Sequence, residues 1–179
     1  MPDLVPGIHA ARANPFGVDG RDKPGHDGQR LASSMTEVFE HHTDVGWFDL
    51  DANRHMKNVA YMEKAVDCRL RFFNSLGFSP DAFAKLNIAF VVVSDQTSYS
   101  RELFLGDRFR VQILCGGVNA KGSRYLVVNR ILTPEGERVY EIRSMIVWLD
   151  TRTRKATTPP PELAAVMQNM ARTEDYAQL

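Results

Sequence analysis

Residues 49–76 read DLDANRHMKNVAY followed by MEKAVDCRLRFFNSL, a polar run of acids, amides and a histidine that passes straight into a long amphipathic segment. Tyr61, Met62, Ala65, Val66, Cys68, Arg69, Phe72, Phe73 and Leu76 recur at three-and-four spacing with Gly77 as a stop, which predicts a helix over 59–76. Its apolar face is wide, so a sheet should wrap around it rather than touch one side. The polar run places Asp51 beside the helix N-terminus, where unpaired backbone N–H groups are able to hold a developing negative charge. A base or nucleophile next to such donors suits acyl transfer.

Working outward, Val38, Phe39, Thr43, Val45 and Trp47 form a first strand within Glu37 to Trp47, and Pro80 to Leu86 forms a short helical turn. Beyond it, Ile88 to Arg101, Asp107 to Cys115, Ser123 to Leu132 and Arg138 to Asp150 are rich in Val, Ile, Phe, Tyr and Thr. They are separated by Leu105-Gly106-Asp107, by Gly116-Gly117 through Gly122, and by Pro134-Glu135-Gly136, which predicts a four-stranded antiparallel meander. In the last strand Ser144, Ile146 and Trp148 face one way and Arg143, Met145, Val147 and Leu149 the other, so that strand should be central or covered. Pro159 to Pro161 break the chain before a modest helix from Glu162 to Arg172. One strand, a long helix and four more strands give an α+β class: a five-stranded antiparallel sheet wrapped around one long central helix. That is the element order of the hotdog fold.

The 22 basic side chains match the 22 acidic ones, so the bulk charge calls for neither nucleic acid nor an anionic membrane. Cys68 and Cys115 fall in a helix pattern and a strand pattern and read as reduced packing residues. No apolar run approaches the ~20 residues that span a bilayer and no apolar leader opens the chain, so a cytoplasmic protein is expected. Residues 1–34 hold five of the twelve glycines and four of the nine prolines with no periodicity, and read as a disordered extension preceding a domain over 35–179. Their text also resembles a translated dispersed repeat of bacterial genomes, which would make Met35 the natural initiator and leave His9 and His26 without a role.

Asp51, Asn53-Arg54-His55-Met56-Lys57, Asn58 and Tyr61 together resemble the motif of the hotdog-fold acyl-CoA thioesterases, in the 4-hydroxybenzoyl-CoA thioesterase-like branch. The resemblance runs from residue 37 to about 161, with Arg101-Glu102-Leu103, Leu105-Gly106-Asp107 and Pro159-Pro160-Pro161-Glu162-Leu163 as weaker supports. Two departures stand out: Arg54 where the family usually has Gly, and Lys57 where Asn is common.

The resemblance implies hydrolysis of an acyl-CoA to free acid and CoA with no cofactor, in a homodimer or homotetramer, acyl carrier protein being another possible thiol partner. Asp51 is then the catalytic carboxylate, as general base or as nucleophile, against the plainer reading of a turn aspartate. The N–H groups near Asn58 and Val59 are the expected oxyanion donors, and Asn58 also reads as a helix cap. Asn53 and His55 position Asp51 or a water, or are simply structural; Tyr61 opens the helix at the substrate side. Lys121 and Arg124, beside the Gly116 to Gly122 turn, are candidate phosphate contacts, and Asp49 reads as a loop anchor. His41 and His42 are adjacent and no ligand spacing completes a metal set. Enoyl-thioester hydration and a non-catalytic acyl-CoA-binding role are the alternatives on the same fold.

Overall fold

The computed structural model describes residues 37–179; the expected N-terminal extension, with His9, His26 and Met35, lies outside the described residues. Strand β1 (Phe39–Asp44) runs through a 3-10 turn at Trp47–Asp49 and the polar loop into helix α1 (Asn58–Ser75). Helix α1 contains no Gly or Pro, and Ala60, Tyr61, Ala65, Cys68, Arg69, Phe72 and Phe73 make its buried face at the predicted spacing. It stops where Gly77 takes φ +87°, with Gly77 N donating to Asn74 O (3.0 Å) and Phe78 N to Phe73 O (2.9 Å). This is a Schellman closure, which glycine adopts without strain because positive φ is open to it.

The chain continues through α2 (Pro80–Lys85), whose N-cap Ser79 Oγ accepts from Ala82 N, then β2 (Ile88–Tyr99), β3 (Arg108–Val118), β4 (Arg124–Leu132) and β5 (Arg138–Asp150). Next come β6 (Lys155–Ala156), α3 (Pro161–Gln168) and β7 (Arg172–Gln178). The main sheet has the order β1-β3-β4-β5-β2, all antiparallel, with β6 added to β5 and β7 added to β3 in parallel. Helix α1 packs on its concave side against β1, β3, β4 and β5. The wrapped α+β architecture is the expected one.

Three details differ from expectation. Only β3, β4 and β5 form the meander, because β2 pairs with β5 at the far side of the sheet. Segment 100–107 is therefore a crossover and not a hairpin turn: Gly106 N donates to Val45 O (3.0 Å), Val45 N to Asp107 O (3.0 Å) and Met56 N to Leu103 O (2.8 Å), tying it to the loops around α1. Second, Gly116 and Gly117 lie inside β3 at a bulge, and the turn proper is Asn119 to Ser123, closed by Asn119 Oδ1 accepting from Ser123 N and Arg124 N. A Cβ on Gly117 would stand 2.5 Å from Ala177 O, so this glycine serves the close approach of β7. Third, the C-terminal helix ends at Gln168 and the chain finishes as β7, giving seven strands where five were expected.

The core collects Phe73, Phe109, Val111, Ile131, Ile142, Ile146 and Trp148 between α1 and the sheet. Each such side chain contributes roughly 1.5–3 kcal/mol on leaving water. Ser144, Ile146 and Trp148 are buried while Arg143, Met145 and Val147 on the other face are half-buried, as the alternation predicts. One helix position breaks the apolar pattern: Arg69, 3 % exposed, donates through Nε to Asn129 Oδ1 and through Nη2 to Ser144 Oγ, whose hydroxyl donates in turn to Asp95. A buried guanidinium is tolerable only with such partners. Among the described residues no helix is long and apolar enough to cross a membrane.

Candidate active site

The polar loop is a closed excursion at the head of α1. Lys57 N donates to Asp49 O (2.8 Å), Leu50 bridges Met56, and Asp51 N donates to His55 O (2.9 Å), so rungs stack upward to a turn at residues 52–54. At about 3.4 Å per rung, Asp51 stands roughly 7 Å along this ladder from the level of the helix start.

The Asp51 side chain is exposed and lines a groove of about 580 Å³ with Trp47, Leu50, Arg54, Phe104 and Leu105. Its Oδ1 accepts from Asn53 N (2.8 Å) and His55 N (3.2 Å), and among the described residues Oδ2 carries no hydrogen bond. Asn53 and His55 thus hold Asp51 through their main chain. The Asn53 side chain is exposed, and the His55 imidazole is turned away: Nδ1 lies 3.3 Å from Glu102 Oε1 and the ring meets Phe104 edge-on. That orientation does not give the Asp–His pair that hydration of an enoyl thioester would use.

Asp49 is anchored, as the sequence suggested. Its carboxylate accepts from Gly46 N and pairs with Lys64 Nζ at 2.9 Å. Burial pushes its pKa up, but the Lys64 and Gly46 bonds outweigh burial and hold it below the usual range. It is therefore committed to closing the 3-10 turn.

At the helix start the structure corrects one expectation. Lys57 is the N-cap, without a side-chain cap bond, and Asn58 is the first helical residue; Lys57 Nζ reaches back to Phe48 O (2.8 Å). The Asn58 Oδ1 instead accepts from Val59 N (2.9 Å). The Asn58 N–H meets no acceptor among the described residues. Tyr61 is a second correction: its ring is 3 % exposed, packed edge-on against Tyr99 and beside Tyr140, with burial raising its hydroxyl pKa. It belongs to the core and offers a ligand little surface.

Lys121 and Arg124, expected as phosphate contacts near a mouth between subunits, do not line the Asp51 groove of their own chain. They stand at the β3–β4 turn, at the opposite end of β3 from Arg108 and the Asp51 loop. Eleven residues of strand separate the two ends, roughly 33 Å. One protomer does not bring them to Asp51. What sequence reading missed is the opposite wall of the groove, Phe104 and Leu105, of which Leu105 was read as part of a turn; two adjacent apolar residues ahead of Gly106 were the available signal, and the structure leaves them 47 % and 51 % exposed. Arg54 holds φ +67°, so the position where the resembled motif has Gly demands left-handed backbone here as well. The thiols are no alternative nucleophiles: burial pushes Cys68 up to about 12 and raises Cys115 too.

The sequence profile of the thioesterase-like superfamily matches residues 45–167, which include the whole groove. The long-chain acyl-CoA thioesterase FadM of Escherichia coli (strain K12) is 29 % identical over 133 residues, covering 72 % of this chain and 96 % of the relative. An L-carnitine dehydrogenase/betainyl-CoA thioesterase of Agrobacterium fabrum is 24 % identical over 97 % of this chain, which spans only 36 % of that relative's length. Among solved structures, the probable thioesterase YbaW of Escherichia coli superposes with a TM-score of 0.61 at 26 % identity, covering 74 % of this chain and 98 % of that one. A Staphylococcus aureus protein in complex with CoA gives 0.66 at 23 % identity over 75 % of this chain and 86 % of that one, a likeness of fold.

Proposed function

The chain belongs to the thioesterase-like superfamily, and from that premise we propose that it hydrolyses an acyl-CoA thioester to the free acid and CoA. The observation that carries the reading is the Asp51 carboxylate, held by two main-chain N–H groups on one oxygen and open on the other, in a groove at the head of α1. The free Oδ2 takes a proton from water, the hydroxide adds to the thioester carbonyl, and the C–S bond breaks as Asp51 returns that proton to the departing sulfur; direct attack by Oδ2 with loss of the thiolate, giving an anhydride that water then opens, is the other route through the same atom. In both, the negative charge on the carbonyl oxygen gathers at the opening amides of α1. Asn58 N is open to it, and Val59 N becomes so when the Asn58 side chain swings off it.

A second copy of the chain completes the site in this proposal. Strand β2 is an edge strand of 12 residues whose outer positions Val91, Val92 and Val93 are exposed, and Val59, Met62, Val66 and Leu70 make an exposed apolar stripe along α1. Antiparallel self-pairing of β2 satisfies its main-chain groups and lays the far end of a partner sheet toward this protomer's Asp51. The basic turns at that far end then approach the acid from the partner, the only way Lys121 or Arg124 joins this site.

The deciding experiment is Asp51→Asn assayed for thiol release over a panel of acyl-CoAs and acyl carrier protein thioesters. The amide still accepts the Asn53 and His55 N–H bonds, so fold and assembly should persist while kcat falls about a hundredfold or more. Turnover close to that of the unchanged protein would remove Asp51 from the chemistry.

A further inference from the structure

We propose that Arg54 reads an anionic oxygen group of the substrate, a carboxylate on the acyl chain or a phosphate of the thiol carrier, at the mouth of the Asp51 groove; this rests on the thioester reading above. Three observations converge on it. Arg54 and Asp51 are the two charged residues of a groove walled otherwise by Trp47, Leu50, Phe104 and Leu105. A bound substrate that covers these walls excludes water and strengthens a charge-assisted bond formed there.

The guanidinium is also uncommitted. Arg71, Arg101, Arg130, Arg138 and Arg143 each hold an acid, whereas Arg54 makes no ion pair or side-chain hydrogen bond among the described residues. Asp51 does not neutralise it: no ion pair joins the two, and one oxygen of that carboxylate is already taken by Asn53 N and His55 N. Arg108, Arg124, Arg152 and Arg154 are likewise unpaired, but none of them lines this groove.

The third observation is the backbone. With φ +67° and its N–H on Asp51 O (3.1 Å), position 54 closes the turn in a conformation that suits Gly or Asn far better than Arg. A left-handed conformation carrying a long cationic side chain at a groove mouth is an outlier from which a functional role can be inferred. A planar guanidinium suits carboxylate and phosphate equally, through paired N–H donors.

The test is Arg54→Gly and Arg54→Lys, measured on three substrates: an acyl-CoA with a neutral acyl group, an acyl-CoA of similar length ending in a carboxylate, and the neutral acyl group on N-acetylcysteamine, which lacks phosphate. Relief of the backbone should raise the thermal midpoint of Arg54→Gly by about 2–4 °C, so loss of function would not reflect loss of fold. If the group read is a phosphate, KM of Arg54→Gly rises roughly tenfold on both CoA substrates and not on the N-acetylcysteamine thioester; if it is a carboxylate, KM rises only on the carboxylate-bearing one. Arg54→Lys should recover part of either effect. Unchanged KM on all three, or an equal fall in kcat on all three, overturns the proposal. Should the unchanged protein hydrolyse none of them, the thioester reading fails first, and calorimetric binding of CoA and of a carboxylate-bearing thioether analogue, compared between the unchanged protein and Arg54→Gly, still decides the role of Arg54.

Discussion

Beside β3 the sheet is closed off by two short strands of its own chain laid end to end, β1 and β7, whereas beside β5 it ends in one long bare strand, β2, and the contrast separates what the protomer finishes alone from what it leaves to a neighbour. On the closed side β7 runs beside β3 past the end of β1, pairing Cys115 with Arg172 and Gly117 with Ala177. The same segment is pinned across the outer face, Glu174 by two oxygens to Arg130 and Asp175 to Arg143. On the open side positions 91–100 are all exposed, Val93 at 63 % and Tyr99 at 50 %. Proteins that keep an edge solitary put charge or a covering segment there; three consecutive valines on a long edge do the reverse.

The contrast is broken most severely at Val93. Val93→Lys places a charge on the open edge, where a lone protomer would tolerate it and a paired strand would not. Light scattering should report a shift from dimer to monomer at micromolar protein, and kcat/KM should fall tenfold or more if the neighbour completes the site. A fully active unchanged protein that is already monomeric would sink the assembly half of the proposal.

The closed edge is sharpened by Gly117→Val. The added side chain meets Ala177 O and Leu179, so β7 must lift, at a cost of about 1–3 kcal/mol in unfolding free energy with assembly unaffected. Acid probes the same strap. The Arg130 bonds hold Glu174 down at about 2, and Asp175 is lowered as well, first by the neighbouring Thr173 hydroxyl and further by Arg143. A depressed carboxylate adds stability that is complete above its ordinary value near 4.5 and is lost as the pH falls toward 2. Between pH 5 and pH 3 the thermal midpoint should therefore drop further for the unchanged protein than for Glu174→Gln; equal slopes would leave the strap without an electrostatic clasp.

The two edges also mark how far the sequence was legible. Helix α1, its glycine stop and the alternation in β5 follow from local spacing, and the structure reproduces them within a residue or two. The partners of β2 and β7 do not, since pairing across the sheet leaves no trace in a strand's own pattern: RTEDYAQ, whose Arg172 was expected to end a helix, is a strand through its close approach to a glycine fifty-five residues earlier. Arg69 is similar. Its spacing announced burial, while Asn129, Ser144 and Asp95, which make that burial tolerable, are distant in sequence. At the candidate site the motif singled out Asp51, which the structure places in a groove, but the groove wall at Phe104 and Leu105 came from a crossover that local turn signals could not predict.

The smallest expected effect lies between the edges, in the loop that carries the acid. Asn53 and His55 look catalytic by residue type, yet what they give Asp51 is two main-chain N–H bonds, which any non-proline residue supplies. Asn53→Ala and His55→Ala should each change kcat less than threefold, under about 0.7 kcal/mol in the barrier. Loss of the His55 contacts to Glu102 and Phe104 loosens only the crossover side of the groove, so its trace should appear in KM more than in kcat. A hundredfold fall in kcat for His55→Ala, with a bell-shaped pH profile lost, would instead mean that the imidazole turns from Glu102 to the reacting carbonyl during turnover, and that the acid does not act alone.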